Sequence, residues 1–199
     1  MEQVKIAVLV SGGGTNLQAL IDSQNSGVIK SGKIVSVISN KADAYALERA
    51  KKANIKTYTV LKKQCVDQDE FEQKIIDILK YEDIEIIVLA GFMSILSEKF
   101  TKLYPNKIIN VHPSLIPSFC GKGFYGLKVH EEALKYGVKV TGATVHFVNE
   151  IPDGGQIIMQ KAVEILDNDT AEILQKRVME QAEWIILPQA VEKVCSLLK

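Results

Sequence analysis

The residues best suited to chemistry lie in the stretch IINVHPSLIPSF, residues 108–119. It begins as an apolar, β-branched strand and then presents Asn110 and His112 two residues apart, so both side chains point to the same side. An amide can donate a hydrogen bond to a developing oxyanion, and an imidazole can move a proton near neutral pH. Pro113 and Pro117 stiffen the backbone that follows. The pattern predicts a catalytic pair; a hydrogen-bonded buried histidine is the alternative interpretation.

A carboxylate partner for His112 is available in the turn-rich segment NEIPDGG, residues 149–155. Asp153 precedes two glycines there, so it is either a turn former or the acid that orients and charges the imidazole. The other histidines are weaker candidates: His146 lies in or beside the same cleft, and His130 is a helix-surface or packing residue. None of them has the spacing of a metal-binding motif, so no metal is expected.

The segment SGGGTN, residues 11–16, is a glycine-rich turn from a strand into a helix. Glycines let the backbone turn tightly and bring N–H groups close to an anion, and the helix N-terminus adds a partial positive charge. The segment therefore predicts a phosphate site, with a ligand-free tight turn as the alternative. The candidate residues are Gly12, Gly13, Gly14, Thr15 and Asn16.

The phosphate is expected to belong to a simple phosphomonoester rather than to a nicotinamide cofactor. No G-x-x-x-x-G-K-[ST] sequence is present, and Leu17 occupies the third glycine position of G-x-G-x-x-G. The second strand ends in Ser39, Asn40 and Lys41, where a dinucleotide site needs an acid. Residues 121–126, GKGFYG, do match G-x-G-x-x-G, but the prolines before them exclude a preceding strand, so we interpret them as a flexible loop.

The elements that must position these residues alternate between short apolar runs and helical patterns in the first half of the chain. Strands are predicted at VKIAVLV, KIVSVIS, IKTYTV and IEIIVLAGF, and the clearest helix is QDEFEQKIIDILKY. This alternation predicts an α/β fold with an open, doubly wound, mostly parallel, Rossmann-like sheet. Ligands of such sheets bind outside the carboxyl ends of the strands, so SGGGTN, SNKAD, AGFM and His112 are expected to converge on one cleft.

The C-terminal part follows another pattern. VKVTGATVHFV and GQIIMQKAVEI are consecutive strands without an intervening helix, so they predict an antiparallel or mixed extension of the sheet. A long helical region ends the chain, with an interruption or kink expected at Pro188. We expect a single domain over 1–199, with a phosphate-binding half at 1–106 and a catalytic half at 107–199.

Composition excludes several kinds of partner. Lys and Arg together number 24, as do Asp and Glu, so the chain lacks the net positive charge typical of proteins that bind nucleic acids or anionic membranes. The longest apolar run, IIVLAGFM, is too short to span a bilayer. Three widely spaced cysteines predict free thiols in a reducing compartment. We expect a cytoplasmic protein that acts on small molecules, as a monomer or weak homodimer.

Six segments of the chain occur in the order and approximate spacing of one enzyme family: SGGGTN, SNKADAYALERA, VLAGFMSIL, IINVHPSLIPSF, GATVHFV and DGG. Over nearly its whole length the chain resembles the folate-dependent phosphoribosylglycinamide formyltransferases of purine synthesis. The H-P-S-L-[IL]-P segment marks the wider formyl-transfer superfamily. The glycine-rich segment and S-N-K-A-D narrow the resemblance to this branch.

The resemblance implies that the amino group of 5-phosphoribosylglycinamide attacks the formyl group of the cosubstrate 10-formyltetrahydrofolate, without a metal or a nicotinamide. It implies that Asn110 and protonated His112 stabilise a tetrahedral intermediate, and that Asp153 keeps His112 charged. Glu183 would hold the glycinamide end of the substrate, and the half of the chain at 107–199 would also bind folate. The implied folate-binding residues are Gln68, Met93, Ser94, Ile95, Leu96 and Asn110, with the loop from Asn149 to Asp153.

The chain departs from the family pattern at a few places. Gln68 and Ser94 stand where the family often has arginine, and the spacing before Glu183 carries one extra residue. The connection CGKGFYGLKVH is longer than the usual one. We hypothesise that residues 121–126 within it form a mobile lid over the folate.

Two other functions stay open on the sequence alone. A formyltetrahydrofolate hydrolase would share Asn110, His112 and Asp153 but use water as the acceptor. Such hydrolases resemble this chain with an added N-terminal regulatory domain, for which a first strand beginning near Val4 leaves no room. A noncatalytic nucleotide-binding module on the same fold would have no need of these three residues together.

Overall fold

In the computed structural model, which describes residues 2–199, seven strands form one sheet in the order β3-β2-β1-β4-β5-β6-β7. The strands are β1 (Val4–Val10), β2 (Gly32–Ser39), β3 (Lys56–Thr59), β4 (Ile86–Leu89), β5 (Ile108–His112), β6 (Val140–Phe147) and β7 (Ile157–Glu164). The helices are α1 (Thr15–Asn25), α2 (Tyr45–Lys52), α3 (Gln68–Tyr81), α4 (Glu98–Leu103), α5 (Leu127–Tyr136), α6 (Ala171–Val178) and α7 (Trp184–Leu197). A 3-10 turn spans Lys62–Gln64, and a π-helical turn spans Met179–Glu183.

The sheet has a parallel part and an antiparallel part. Strands β1 to β5 pair in parallel with their neighbours, whereas β6 pairs antiparallel with both β5 and β7. Successive connections move outward from β1 to β3 on one side and from β4 onward on the other, which puts the topological switch point between β1 and β4. The predicted fold, a mostly parallel doubly wound sheet with an antiparallel extension and a terminal helical region, is confirmed.

Apolar side chains cover both faces of the sheet, as the continuous apolar runs of β1 and β4 require. One face packs against α1, α2, α6 and α7, with Leu17 and Val191 among its buried residues. The opposite face packs against α3 and α4, where Phe71, Ile75 and Phe100 are fully buried. The side chains that bind ligands must therefore lie at an edge of the sheet rather than on a face.

Two details differ from the sequence expectations. The sequence analysis considers a helix surface for His130 but gives no bounds for the helix α5, which follows the GKGFYG loop. The terminal helical region also does not break at Pro188, which lies inside α7. Pro188 has no backbone N–H, so the carbonyl of Trp184, four residues earlier, receives no hydrogen bond from it, yet the helix continues to Leu197.

Gly142 provides a test of the antiparallel extension. It pairs with Ala162 across β6 and β7, and a Cβ added to it would lie 2.0 Å from the backbone oxygen of Lys161. Because backbone cannot yield as a flexible side chain does, we expect Gly142→Ala to lower the free energy of unfolding by about 3 kcal/mol, the upper end of typical overpacking costs. Urea unfolding measures this, with the exposed Val140→Ala as the control; equal stability of the two variants would contradict the packing.

Candidate active site

The segments that follow β1, β2 and β4 are joined by side-chain hydrogen bonds at the carboxyl edge of the sheet. The hydroxyl oxygen of Ser11 accepts from the Met93 amide at 2.8 Å. The Asn40 side chain donates to the Ser94 hydroxyl, also at 2.8 Å. Since β5 lies beside β4, its terminal residue His112 belongs to the same edge. The predicted convergence of four strand ends is confirmed.

The glycine-rich segment has the geometry of an anion cradle. Gly14 adopts a left-handed conformation with φ of 73°, and a Cβ there would lie 2.6 Å from the Cβ of Ala46. Among the described residues, no side chain caps the N-terminus of α1 and no acid lies in its first turn. The first amides of α1 are therefore available to a ligand, and an anion is the ligand that they favour. The phosphate site at Gly12, Gly13, Gly14, Thr15 and Asn16 stays a prediction.

Arg49 is a cation beside this cradle that the sequence analysis missed. Its Nε donates to the Gly13 carbonyl at 2.8 Å, and its Nη1 donates to the Gln18 side chain at 3.1 Å. A cavity of about 350 Å³ adjoins it, with Thr15 and Trp184 in its wall. The only signal in the sequence was the position of Arg49 within SNKADAYALERA, on the helix that packs against the glycine-rich segment.

Glu183 meets the cradle from the C-terminal part of the chain. It is buried, and its Oε2 accepts from the Asn16 side chain at 2.7 Å. Burial raises the pKa of Glu183, and the hydrogen bond from Asn16 offsets part of that effect. The extra residue before Glu183 lies within the π-helical turn Met179–Glu183, which winds one more residue into a turn than an α-helix does. The structure thus brings together two of the predicted substrate-binding residues.

The carboxylate of Asp153 lies between two imidazole rings. Its Oδ2 is 3.5 Å from Nδ1 of His112, and its Oδ1 is 3.6 Å from Nε2 of His146. The Asn110 amide nitrogen is 3.2 Å from the same Nε2 of His146. Nδ1 of His146 lies 2.8 Å from the Phe147 carbonyl oxygen, and because a carbonyl only accepts, Nδ1 carries a proton. Nε2 of His146 faces both the Asn110 amide and the Asp153 carboxylate. The predicted trio forms one cluster, and His146 is its fourth member.

Strand register and one tight turn build this cluster. Asn110 lies directly opposite His146 in the β5–β6 pair. Asp153 is in the left-handed region with φ of 56°, and a Cβ added to Gly155 would lie 1.7 Å from the Phe147 carbonyl oxygen. Only glycine fits that approach, so the DGG turn carries Asp153 back over the end of the sheet. The two interpretations of Asp153, turn former and partner of a histidine, therefore hold together.

The protonation states of the cluster follow from burial and charge. Burial lowers the pKa of His112 below its ordinary 6.5, although the Asp153 carboxylate and the Phe119 carbonyl act in the opposite direction. The lowered pKa favours the neutral imidazole at pH 7 in the protein without ligands. The role expected of protonated His112, in the tetrahedral intermediate, stays a prediction. Burial acts to raise the pKa of Asp153, but hydrogen bonding with His146 and the charge of His112 lower it, so Asp153 is ionised.

The loop after β5 is tied to the same two residues. Nε2 of His112 lies 2.9 Å from the Phe119 carbonyl oxygen, so Nε2 carries the proton and Nδ1 faces Asp153 as the basic nitrogen. The Gly121 amide donates to Oδ2 of Asp153 at 2.9 Å. Cys120 lies between Phe119 and Gly121 in the chain. Burial, and to a smaller extent the charge of Asp153, raises the pKa of its thiol. The start of the predicted lid is thus in contact with the cluster.

The third histidine lies outside the cluster. His130 is fully buried in α5, and its ring nitrogens have no hydrogen-bond partner among residues 2–199. Burial, with a smaller effect from His112, lowers the pKa of His130 to about 4, so it is neutral at pH 7. Of the two interpretations of His130, a helix-surface residue or a packing residue, its burial supports the second. Within the described part of the chain, no three His, Cys, Asp or Glu side chains are placed to hold a metal ion.

The predicted folate-binding side chains are placed differently from one another. Met93 and Ile95 are 54% and 68% exposed, whereas Leu96 is 7% exposed and belongs to the core under the sheet. Ser94 already accepts a hydrogen bond from Asn40. Gln68 donates to the side chain of Glu72 and to the Ile95 carbonyl. Of these side chains, only Met93 and Ile95 therefore offer free apolar surface to a ligand.

Comparisons with known proteins agree with this geometry. The sequence profile of the family described as "Formyl transferase" matches residues 4–191. The chain is 46% identical to the phosphoribosylglycinamide formyltransferase of Haemophilus influenzae over 188 residues. This alignment covers 94% of this chain and 85% of that protein. The chain is 45% identical over 194 residues to the trifunctional purine biosynthetic protein adenosine-3 of Gallus gallus, covering 98% of this chain and 19% of that protein. The solved structure of glycinamide ribonucleotide transformylase 1 from Symbiobacterium toebii has a TM-score of 0.91 at 38% identity, covering 98% and 88% of the two chains.

The balance between burial and the Asp153 charge predicts the titration of His112. In wild-type protein we expect an NMR midpoint for the His112 ring below 6.5, and in Asp153→Asn a still lower one, because the carboxylate raises the pKa. A histidine whose pKa is lower in the folded than in the unfolded state stabilises the fold at pH values above its unfolded pKa. This contribution to the free energy of unfolding is lost as the pH falls from the unfolded pKa through the folded pKa. Asp167→Asn, which changes an exposed acid outside the cluster, is the control. A midpoint above 6.5, or one unchanged in Asp153→Asn, would contradict this assignment.

Proposed function

This chain belongs to the formyl transferase family, and on that premise we propose that it transfers a formyl group from 10-formyltetrahydrofolate to the amino group of 5-phosphoribosylglycinamide, a step of purine biosynthesis. The family membership expected from the sequence segments is confirmed by the profile match and by the relatives. The observation that carries the proposal is the cluster of Asp153, His112, Asn110 and His146 at the same edge of the sheet as an uncapped helix N-terminus. One small phosphorylated amine can reach both.

The ribonucleotide end of the site supports a phosphomonoester. The free amides of α1 and the open loop at Gly12 and Gly13, where an added Cβ would meet nothing within 4 Å, leave room for a phosphate against the backbone. Glu183 lies on the far side of Asn16 and can accept from the amine or amide groups of the glycinamide. We assign Gly12 to Asn16 to the phosphate and Glu183 to the glycinamide end.

The folate side of the site supports a flat, partly apolar cosubstrate. Met93 and Ile95 present exposed apolar side chains beside the cluster edge, as a folate ring system requires. When bound, 10-formyltetrahydrofolate supplies the formyl carbon. The bond between that carbon and N10 breaks, and N10 takes up the proton that the attacking amine gives up, so the cosubstrate departs as tetrahydrofolate. Gln68, Ser94 and Leu96 contribute mainly through the backbone they hold, since their side chains are engaged or buried.

His112 and Asp153 handle the proton in this proposal. Nδ1 of neutral His112 faces the ionised carboxylate, so a proton released by the attacking amine is stabilised there as an imidazolium beside Asp153. His112 is therefore charged during the reaction rather than before it. Asn110 has a second amide N–H beyond the one directed at His146, and Nε2–H of His112 becomes a further donor once the Phe119 carbonyl moves away. Both donors can stabilise the developing oxyanion.

The direct test is whether consumption of 10-formyltetrahydrofolate depends on the ribonucleotide. We expect turnover only when 5-phosphoribosylglycinamide is present, with formylated ribonucleotide as the product. Release of formate in its absence would make this chain a formyltetrahydrofolate hydrolase, the alternative that the same trio permits. Binding of ribonucleotide without turnover of either substrate would favour a noncatalytic module.

His112→Ala tests the role of the imidazole. We expect a folded protein whose kcat falls by about two to four orders of magnitude, because a proton acceptor and an oxyanion donor are both lost. Asp153→Asn is expected to lower kcat more than it changes the Kd for the ribonucleotide. Near-normal turnover in folded His112→Ala, checked by circular dichroism, would contradict the mechanism.

The lid is tested by shortening the loop that carries it. Removal of Lys122 to Phe124 leaves the Gly121 contact to Asp153 in place but shortens residues 121–126. We expect the Kd for folate to rise several-fold while the Kd for the ribonucleotide, which serves as the internal control, stays unchanged. An unchanged Kd for folate would count against a lid over that substrate.

Location and assembly are proposed from sequence and composition. No helix within residues 2–199 has the length and apolarity to cross a membrane. We propose a cytoplasmic enzyme of small-molecule substrates, without nucleic-acid partners, that is a monomer or a weak homodimer. The balanced charge and the free cysteines support this proposal. Analytical ultracentrifugation over a concentration series measures the assembly.

A further inference from the structure

Glu72 is a carboxylate buried on the inner side of α3, at 3% exposure, and it lies outside the cluster already described. We propose that Glu72 is the positioning residue that holds the segment Met93–Ser97 in the conformation that receives the folate. The inference rests on the proposed function for its ligand, but the contacts of Glu72 do not depend on it.

The hydrogen bonds of Glu72 all point toward this segment and its support. Oε1 accepts from the Ser97 amide at 2.6 Å and from the Gln68 side chain at 2.7 Å, and Oε2 accepts from the Ser97 hydroxyl. The Ser97 oxygen in turn accepts from the Phe100 amide at 3.2 Å, which caps α4. One carboxylate therefore fixes the point where the segment ends and α4 begins.

Burial makes a carboxylate an expensive choice at this position. Its neighbours on the buried face of α3, Phe71, Ile75, Ile76 and Leu79, are all apolar, and an apolar residue would extend their stripe. Glu72 forms hydrogen bonds with Ser97 and Gln68 rather than a direct ion pair, and these hydrogen bonds are the main compensation for its desolvation. Packing of α3 does not require this carboxylate, whereas the segment at Ser97 does.

Gln68 extends the same support to the middle of the segment. Its Nε2 donates to Glu72 and also to the Ile95 carbonyl at 3.2 Å. The side chain of Ile95 is left exposed on the other side. Gln68 therefore acts with Glu72 on the backbone, which explains why a glutamine serves at a position implied to touch folate directly.

The two remaining attachments of the segment show what Glu72 adds. Met93 is held through its amide by Ser11, and Ser94 is held through its hydroxyl by Asn40. Both attachments lie at the first half of the segment. Without Glu72 and Gln68, the half that carries Ile95 keeps only the packing of Leu96 in the core and the Ser97 cap of α4. The backbone at Ile95 then has no side-chain hydrogen bond among the described residues, and the freedom it gains must be lost on folate binding.

Glu72→Gln tests the inference with a nearly isosteric change. With the amide oxygen kept at the Oε1 position, the new NH2 group replaces Oε2, which accepts from the Ser97 hydroxyl, and the acceptor loses its charge. These hydrogen bonds are therefore weakened or lost, and we expect the KM for 10-formyltetrahydrofolate to rise about tenfold. We expect kcat and the KM for the ribonucleotide to change by less than about twofold, because the phosphate cradle and the cluster are not touched. Asp77→Asn, at an exposed acid of the same helix, is the matched control.

A second pair of variants separates positioning from general stability. Ser97→Ala removes the hydroxyl that Glu72 accepts, and Ser97→Thr keeps a hydroxyl there. We expect Ser97→Ala to raise the folate KM, Ser97→Thr to restore it, and Ser97→Ala combined with Glu72→Gln to raise it less than the sum of the two single changes. Equal rises in both substrates' KM, or an unchanged folate KM in folded Glu72→Gln and Ser97→Ala, would overturn the inference.

Hydrogen exchange separates failure of this inference from failure of the proposed function. The amides of residues 93–97 are expected to exchange faster in Glu72→Gln than in wild type, with no ligand present. Unchanged exchange there would overturn the positioning role whatever the enzyme's activity. Faster exchange in a protein whose wild type shows no ribonucleotide-dependent transfer would uphold the positioning of the segment and refute the function instead.

Discussion

The carboxylate of Asp153 is the contact on which the rest of the site depends. Its oxygens lie 3.5 Å from Nδ1 of His112 and 3.6 Å from Nε2 of His146, and the two imidazoles have different roles. His146 is locked by the Phe147 carbonyl and orients Asn110, while His112 keeps its basic nitrogen toward the carboxylate. A partly buried anion beside the imidazole of His112 is a poised arrangement, because the gain of one proton by that imidazole converts the contact into an ion pair.

That arrangement constrains the backbone around it. Asp153 must take a left-handed conformation, Gly155 must lie against the Phe147 carbonyl, and β6 must keep the register that sets His146 opposite Asn110. A slip of one residue in that register would turn His146 away from Asn110. The antiparallel extension of the sheet thus serves the chemistry as much as the core.

At the opposite end of the site, the first backbone amides of α1 have no capping side chain from residues 2–199. An uncapped helix N-terminus and a glycine turn favour an anion, and the acid nearest to them, Glu183, is buried with its charge disfavoured. An ionised carboxylate there would repel a phosphate, so burial of Glu183 serves the anion as well as the glycinamide. The end of the site at the α1 N-terminus therefore favours an anion, and the end at His112 and Asp153 can take up a proton, although the chain carries no net charge.

Much of this organisation is visible in the sequence because it depends on local pattern. The alternation of strand and helix patterns predicts the fold, and the two-residue spacing of Asn110 and His112 predicts that both side chains lie on the same side of the strand. The pairing of Asn110 with His146 is not visible in that way, because it depends on the register between strands 36 residues apart. The lowered pKa of His112 without ligands is not visible either, because a nearby carboxylate can be inferred from the sequence, whereas the extent of burial that opposes it cannot.

The supporting side chains were the hardest to foresee. The side chain of Gln68 donates to the protein's own backbone and that of Leu96 lies in the core, so the folate contacts expected at these two positions stay predictions. Glu72 looks like an ordinary acid in the first turns of a helix, and only the fold brings it to Ser97. Such residues act through three-dimensional contacts that leave no period or motif in the chain.

A crystal structure with 5-phosphoribosylglycinamide tests the central claim most directly, namely that one substrate spans the cradle and the cluster. We predict the phosphate on the amides of Gly12 to Asn16, with the glycinamide nitrogen between Glu183 and His112. A phosphate bound elsewhere, or a glycinamide directed away from His112, would contradict the account.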